Sequence, residues 1–356
     1  MRFHVISLPH TQTTKEYSLC AYTEKVRKFS NMMTKLGHEV YLYSSEENEA
    51  ECTEHITIVT KKEQKKWFGD YDFRKQFFNI DWDSSKEHWT KSNDRAIQEI
   101  GKRLKPKDFI CVIAGVCQKQ IADAFPAVMS VEFGVGYSGV FSDYRVFESY
   151  AWMHSVYGAY SDPNEIMSVQ GKFYDAVIPN YFEVDDFPYS AKKDDYYLYM
   201  GRLTTLKGYD LVTQICEKLK LRLIIAGQGE PPDYGEYVGT VGPKERGKLM
   251  SKAKAVFAPS LYLEPFGGVT AEAMLCGTPI ITTDWGAFSE NNIQGVTGYR
   301  CRTFKEFCQA AKDVNKLDYK AIREYAVNKF STDVVALEYE KYFKRLLTLW
   351  GKGFYA

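Results

Sequence analysis

The residues best placed for chemistry form the stretch Glu264-Pro-Phe-Gly-Gly-Val-Thr-Ala-Glu272, bracketed by apolar runs over 255–260 and 278–283. Apolar run, glycine-bearing turn, short amphipathic segment, Gly277 and a further apolar run spell a strand–loop–helix–strand unit. Glu264 falls in the loop and Glu272 in the helix. Between them, Gly267 and Gly268 expose backbone N–H groups at a helix N-terminus, a ready site for phosphate. The two carboxylates can accept hydrogen bonds from hydroxyls on either side of that phosphate. A ligand with a sugar, a diphosphate and a ribose fits this layout, and a nucleotide-sugar is such a ligand.

The elements that position this stretch alternate along the whole chain. Strands are predicted over 3–8, 40–43, 55–59, 109–114 and 128–133, with a helix over 22–36 that stops at Gly37. The segment 63–94 breaks the rhythm with aromatics among charges, as an ordered insertion or lid, or as a surface helix pair with aromatic anchors. An acidic, turn-rich stretch over 183–195 reads as an interdomain linker. Alternation then restarts with strands over 196–201, 222–226, 237–241 and 255–258 and helices over 209–218 and 243–252. A long amphipathic helix is expected from Asp333 to Trp350. This is the rhythm of parallel sheets with crossover helices, and two α/β, doubly wound domains facing across a cleft are its economical architecture.

At 356 residues two domains are expected. The 46 basic and 46 acidic residues cancel, which disfavours broad attachment to nucleic acid or an anionic membrane and leaves only local patches. The 26 Tyr, 22 Phe and 6 Trp supply core and, in part, stacking platforms for sugars or bases. Eight scattered cysteines, with no C-x-x-C pair and no histidine cluster, disfavour a zinc site and suggest a reducing compartment. The first residues are too short and polar a stretch for a signal peptide, and no apolar run approaches the ~20 residues a membrane span needs, so a cytoplasmic location is expected. Gly134-Val-Gly136 with Gly139 imitates a dinucleotide fingerprint only superficially, because it lies late in the first domain without a distant acid. Asp81-Trp-Asp83 lies in the irregular insertion, and no metal is expected.

The second half of the chain resembles glycosyltransferase family 4 of the GT-B fold class. The matches run in order: Ile178-Pro-Asn180, Gly201-Arg-Leu203 with Lys207-Gly208, Ala226-Gly-Gln-Gly229, Gly239 with Val241-Gly242, Pro259-Ser260, the Glu264–Glu272 stretch, Cys276-Gly-Thr-Pro279, and Gly295-Val-Thr-Gly298. The resemblance is specific over 178–298. Leu36-Gly-His-Glu-Val40 matches more loosely, and Cys20-Ala21 stand where the family usually has Gly-Gly. Glu132 takes the place of a family histidine.

The resemblance implies two Rossmann-like domains in a GT-B arrangement: an acceptor-side domain over 1–182, a donor-binding domain over 183–332, and a C-terminal helix within 333–356 that packs back on the first. Glu264, Arg202, Lys207 and Glu132 are the implied catalytic residues. Gly201, Arg202, Lys207, Gly227, Gly242, Glu264, Phe266, Gly267, Gly268, Val269 and Glu272 are implied for the donor. His10, Thr13, Thr14 and Ala21 are candidates on the acceptor side. The expected activity is retaining transfer of a hexose from a UDP- or GDP-sugar to a hydroxyl of a glycan or glycoconjugate, with no cofactor and at most peripheral membrane contact. Two other readings stay open: glycosylation of a hydroxymethylated DNA base, and nucleotide-sugar binding without catalysis.

Overall fold

Two parallel sheets carry the chain. The computed structural model describes residues 1–349 apart from 163 and 170. The first sheet holds β1 (Arg2–Ile6), β2 (Glu39–Ser45), β3 (Glu54–Val59), β4 (Phe109–Val112), β5 (Met129–Val135), β6 (Tyr144–Phe147) and β7 (Ala176–Val177). Its order is β3-β2-β1-β4-β5-β6-β7. The second holds β8 (Tyr197–Met200), β9 (Leu223–Ala226), β10 (Glu236–Tyr237), β11 (Val256–Ala258), β12 (Ile280–Thr283) and β13 (Gly298–Cys301), ordered β10-β9-β8-β11-β12-β13. Both therefore reverse their winding once, at β1/β4 and at β8/β11. The α/β, doubly wound architecture is the one expected.

The central strands read as unbroken apolar runs because helices cover both faces. Phe109, Ile110, Cys111 and Val112 are all buried, as are Ile280 and Ile281. Strands β6, β7 and β13 are not predicted from the sequence. The last of these opens at Gly298, within the Gly295–Gly298 motif. Of β6 and β7, the first is four residues long and contains Arg145, whose charge is balanced internally by Asp175 at 2.6 Å; the second is only two residues. The strand expected over 237–241 shrinks to Glu236–Tyr237. The segment 63–94 resolves into parts of two helices, Lys61–Phe68 and Glu87–Gly101, joined by an irregular connection. Thr60 opens the first with a capping box closed by Glu63. Trp89 opens the second as a fully buried anchor rather than a surface aromatic.

The last helix, Thr332–Leu349, lays Val335, Tyr339, Phe343 and Leu346 into the core of the first sheet. Phe343 meets Phe3 at 4.7 Å and Phe109 at 4.9 Å between ring centroids. Side chains of this size each stabilise by roughly 1.5–3 kcal/mol when fully buried, which suffices to hold the helix there. The preceding helix, Tyr319–Phe330, packs instead on the second core through Ile322, Ala326 and Phe330. The chain thus crosses between halves at Ser331, beside its first crossing at Phe182. The two passages are tied together, with Phe182 N–H donating to the Phe330 carbonyl and Thr332 N–H to that of Phe182. Trp350, the expected end of the last helix, and the segment 350–356 lie outside the described residues. Among the described residues no helix is long and apolar enough to cross a membrane.

Candidate active site

Ligands of doubly wound sheets bind beyond the strand C-termini where the winding reverses. In the second sheet that point lies between β8 and β11, whose following loops carry Arg202, Lys207 and Glu264. A cleft of about 820 Å³ opens there, walled on the other side by loops of the first half.

Lys207 reaches its position on a single 3₁₀ turn, Thr205–Lys207, ended by Gly208. Its ammonium donates to Glu264 Oε1 and, at 2.6 Å, to the Tyr262 hydroxyl. Ser260 Oγ adds a hydrogen bond to Glu264 at 3.3 Å. Glu264 is buried, and this ammonium is its ion-pair partner. Burial and the neighbouring Glu264 push the Tyr262 phenol upward, so it stays a neutral donor. The guanidinium of exposed Arg202 lies 5.6 Å from the centre of the Phe77 ring, on the connection between the two insertion helices. Gln228 fastens that connection, donating to the Phe73 and Gln76 carbonyls at 2.8 and 3.0 Å.

Gly267 has φ +78°, a backbone conformation that glycine adopts freely, and turns the chain into the helix Gly268–Leu275. The N–H groups of Gly268 and Val269 precede the first intrahelical acceptor, whereas that of Thr270 donates to the Gly267 carbonyl at 2.9 Å. Gly268 and Val269 line the cleft, as does Phe266, whose ring is packed away between Phe182 and Phe330. Glu272 follows one turn on. Burial pushes its carboxyl pKa upward, and Arg246 opposes this from 3.4 Å. Gly201 and Gly227 also line the cleft and touch through their backbones, so a Cβ on Gly227 would sit 1.8 Å from the Gly201 carbonyl oxygen. Gly242 caps the helix Pro243–Lys252 and is set back; Thr240, Val241 and Pro243 form the wall there.

The first half corrects several expectations. Glu132 is fully buried on β5 and does not line the cleft. Its Oε2 accepts the backbone N–H groups of Phe141 and Ser142 at 2.9 and 2.8 Å, which fixes the loop before β6. Burial pushes its pKa up to about 7. In this place it holds a loop and does not face the cleft. Thr13 and Thr14 are also off the cleft wall. Thr13 pairs with the connection beyond β2 through Glu47 and Asn48, and its hydroxyl donates to Ser7 Oγ at 3.1 Å. His10, Cys20 and Ala21 do line the cleft. Burial among Phe68, Phe78 and Trp82 drops the His10 imidazole to about 3, so it is neutral at physiological pH. Cys20 and Ala21 begin the helix Ala21–Lys35.

The structure adds groups that the sequence did not single out: Arg246 beside Glu272, Tyr262 beside Lys207, and a Lys25–Glu148 pair in the opposite wall. Each depends on a partner from a distant element, which no local spacing reveals. Among the described residues no cluster of three or more His, Cys, Asp or Glu side chains is arranged to hold a metal ion.

Residues 182–326 match the family model described as Glycosyl transferases group 1. An uncharacterized glycosyltransferase of Methanocaldococcus jannaschii is 34% identical over 166 residues, which are 41% of this chain and 40% of that protein. The similarity thus spans well under half the length of that relative. AviGT4, a glycosyltransferase involved in avilamycin A biosynthesis, superposes with TM-score 0.65 at 18% identity, covering 98% of both chains. HepE of Anabaena in complex with UDP and glucose superposes with TM-score 0.64 at 14% identity, covering 97% of this chain and all of that one. These two likenesses establish the GT-B fold for the whole described chain.

Proposed function

We propose that the chain, whose residues 182–326 match the family model of the group 1 glycosyl transferases, transfers a hexose from a UDP- or GDP-sugar to a hydroxyl acceptor, with retention of anomeric configuration. The observation that carries this reading is the convergence, at the winding reversal of the second sheet, of two cations, an open helix N-terminus and two carboxylates. The Anabaena protein's complex with UDP and glucose supports a nucleotide-sugar donor.

Each group has a part in the proposed reaction. Arg202, Lys207 and the backbone of Gly267, Gly268 and Val269 meet the diphosphate. Their charge and dipoles stabilise the leaving group as negative charge develops on it. Glu264 holds hydroxyls of the transferred sugar, and Glu272 accepts from the ribose. The bond from the anomeric carbon to the diphosphate breaks, and its electron pair leaves with the nucleoside diphosphate. The acceptor oxygen bonds to the same face, and its proton passes to the departing phosphate. The protein contributes position and charge, and no cofactor is invoked.

Nucleoside diphosphate release, measured with UDP-, GDP- and ADP-sugars, tests the reading. Release from one donor that is abolished by Glu264→Ala is the expected result. No release together with no nucleotide-dependent thermal stabilisation would sink the donor-site assignment.

A further inference from the structure

The glycine motif that imitates a dinucleotide fingerprint has a different use. Gly134 and Gly136 lie at the end of β5 and just beyond it. A Cβ on Gly134 would meet the Lys25 side chain at 3.0 Å, and one on Gly136 would lie 2.7 Å from the Glu148 carboxylate. The two missing side chains leave a cradle, and Lys25 and Glu148 fill it as an ion pair. Lys25 rises from the first turns of the helix Ala21–Lys35; Glu148 directly follows β6.

Both residues are about 95% buried, at 6% and 5% exposure, yet both line the cleft. Lys25 donates to the Gly134 carbonyl at 3.0 Å and lies 4.6 Å from the centre of the Tyr22 ring. The Glu148 carboxylate has the Lys25 ammonium as its partner and, among the described residues, receives no hydrogen bond. Apolar side chains of equal volume would serve packing as well or better than a desolvated pair. The next residue, Ser149, donates from Oγ to the Pro265 carbonyl at 2.7 Å, which places the pair beside the Glu264 loop.

We infer that Lys25 and Glu148 form the acceptor subsite and that its ligand is an uncharged sugar. This rests on the donor reading above. An ammonium beside a carboxylate both donates to and accepts from neighbouring hydroxyls, and the pair's zero net charge gives an anionic headgroup no advantage over an uncharged sugar there. The Tyr22 ring and Trp152, also in the cleft wall, offer apolar surface for a pyranose face. Cys20-Ala21, at the foot of the same helix, belong to this wall rather than to a glycine-backbone contact with phosphate.

The experiment uses the whole chain. UDP and GDP affinity is measured by calorimetry. Nucleoside diphosphate release from UDP- and GDP-sugars is followed with and without the methyl glycosides of glucose, galactose and mannose. At least one glycoside should accelerate release by wild type. Glu148→Gln should raise the KM for that glycoside by about 10-fold or more, the loss expected for a hydrogen bond to a charged group, with nucleotide Kd within about twofold. The double variant Lys25→Met/Glu148→Leu separates binding from packing: it should fold with at least native Tm and still lack acceleration. Restored acceleration in the double variant, an unchanged glycoside KM in Glu148→Gln, or nucleotide affinity falling in parallel would each overturn the inference. A wild type that binds nucleotide but responds to no glycoside would overturn the acceptor site alone. One that binds neither nucleotide would remove the donor reading and this site with it.

Discussion

Each wall of the cleft carries a lysine–glutamate pair, and the two pairs are built differently. Lys207 and Glu264 come from loops after adjacent strands of one sheet, 57 positions apart, and are braced by Tyr262 and Ser260. Lys25 and Glu148 come from a helix and a strand end and sit in a cradle of two glycines. The first pair is wired by hydrogen bonds and can be rearranged by a ligand without emptying a space. The second is positioned by shape, so its place in the wall depends on atoms that are absent. A donor common to many enzymes suits a site fixed by a recurring loop pattern; an acceptor peculiar to one enzyme suits a site assembled from whatever the surrounding fold leaves open.

The donor-side pair should be the more sensitive. Lys207→Met removes the ammonium from the diphosphate and leaves Glu264 buried without its charge partner. Nucleoside diphosphate release should fall about 10²- to 10³-fold, the range for losing one strong donor to a leaving group. Loss of less than about tenfold would mean that Arg202 alone carries the phosphate charge.

The acceptor-side pair should break through a residue that carries no charge at all. In Gly136→Ala the added methyl falls 2.7 Å from the Glu148 carboxylate and must displace it. Glycoside-stimulated release should drop about tenfold, as after loss of one hydrogen bond to a charged group, while UDP affinity stays at the wild-type value. Parallel loss of both would show that the cradle acts on the whole cleft and would erase the contrast between its walls.

A smaller effect is expected at Arg246, which supports Glu272 from the neighbouring helix. Arg246→Ala leaves Glu272 opposed by Lys28 but without its nearer cation. The carboxyl pKa should rise further, and UDP affinity at pH 6 should weaken more than at pH 8. A loss of about 5- to 10-fold matches one weakened hydrogen bond to the ribose. Removing the ribose hydroxyls sharpens the test: 2′,3′-dideoxy-UDP should lose affinity for wild type but little for Glu272→Gln.

How much of this was legible in the sequence follows the same divide. The second half is legible as far as β12, because its strand ends, glycines and carboxylates are local in sequence: Pro243–Lys252 has the expected bounds, and the residues from Glu264 to Glu272 meet in one loop and helix. The strand Gly298–Cys301 and the helices Phe304–Asp313 and Tyr319–Phe330 beyond it are not predicted. The first half was readable as alternating strands and helices but not as a site. Its ion pair joins positions 25 and 148; of the two glycines beside it, Gly136 makes room for Glu148, and Gly134 both adjoins Lys25 and carries a left-handed backbone at φ +61°. A loop position alone suggests Thr13 and Thr14, but the connection beyond β2 pairs with Thr13, and Thr14 is buried off the cleft wall. Analogy of place suggests Glu132, although nothing local shows whether a carboxylate after a buried strand faces a cleft or a backbone.

Glu132 offers the finest test, because it separates a buried carboxylate that holds structure from those that meet a ligand. Its pKa is raised from the usual 4.5 to about 7 by burial. A raised carboxyl binds a proton more tightly when folded than when unfolded. Its stabilisation is therefore present below pH 4.5 and is lost as pH rises through about 7. A shift of that size corresponds to about 3 kcal/mol between the ends of the window. Glu132→Gln keeps a carbonyl oxygen for the Phe141 and Ser142 N–H groups and cannot ionise. Its thermal unfolding should vary less between pH 5 and pH 8 than that of wild type, with the variant gaining most at the alkaline end. Transfer should be unaffected, since the side chain does not reach the cleft. A loss of transfer comparable to that of Lys207→Met would return Glu132 to the reacting groups and require the cleft to extend behind β5.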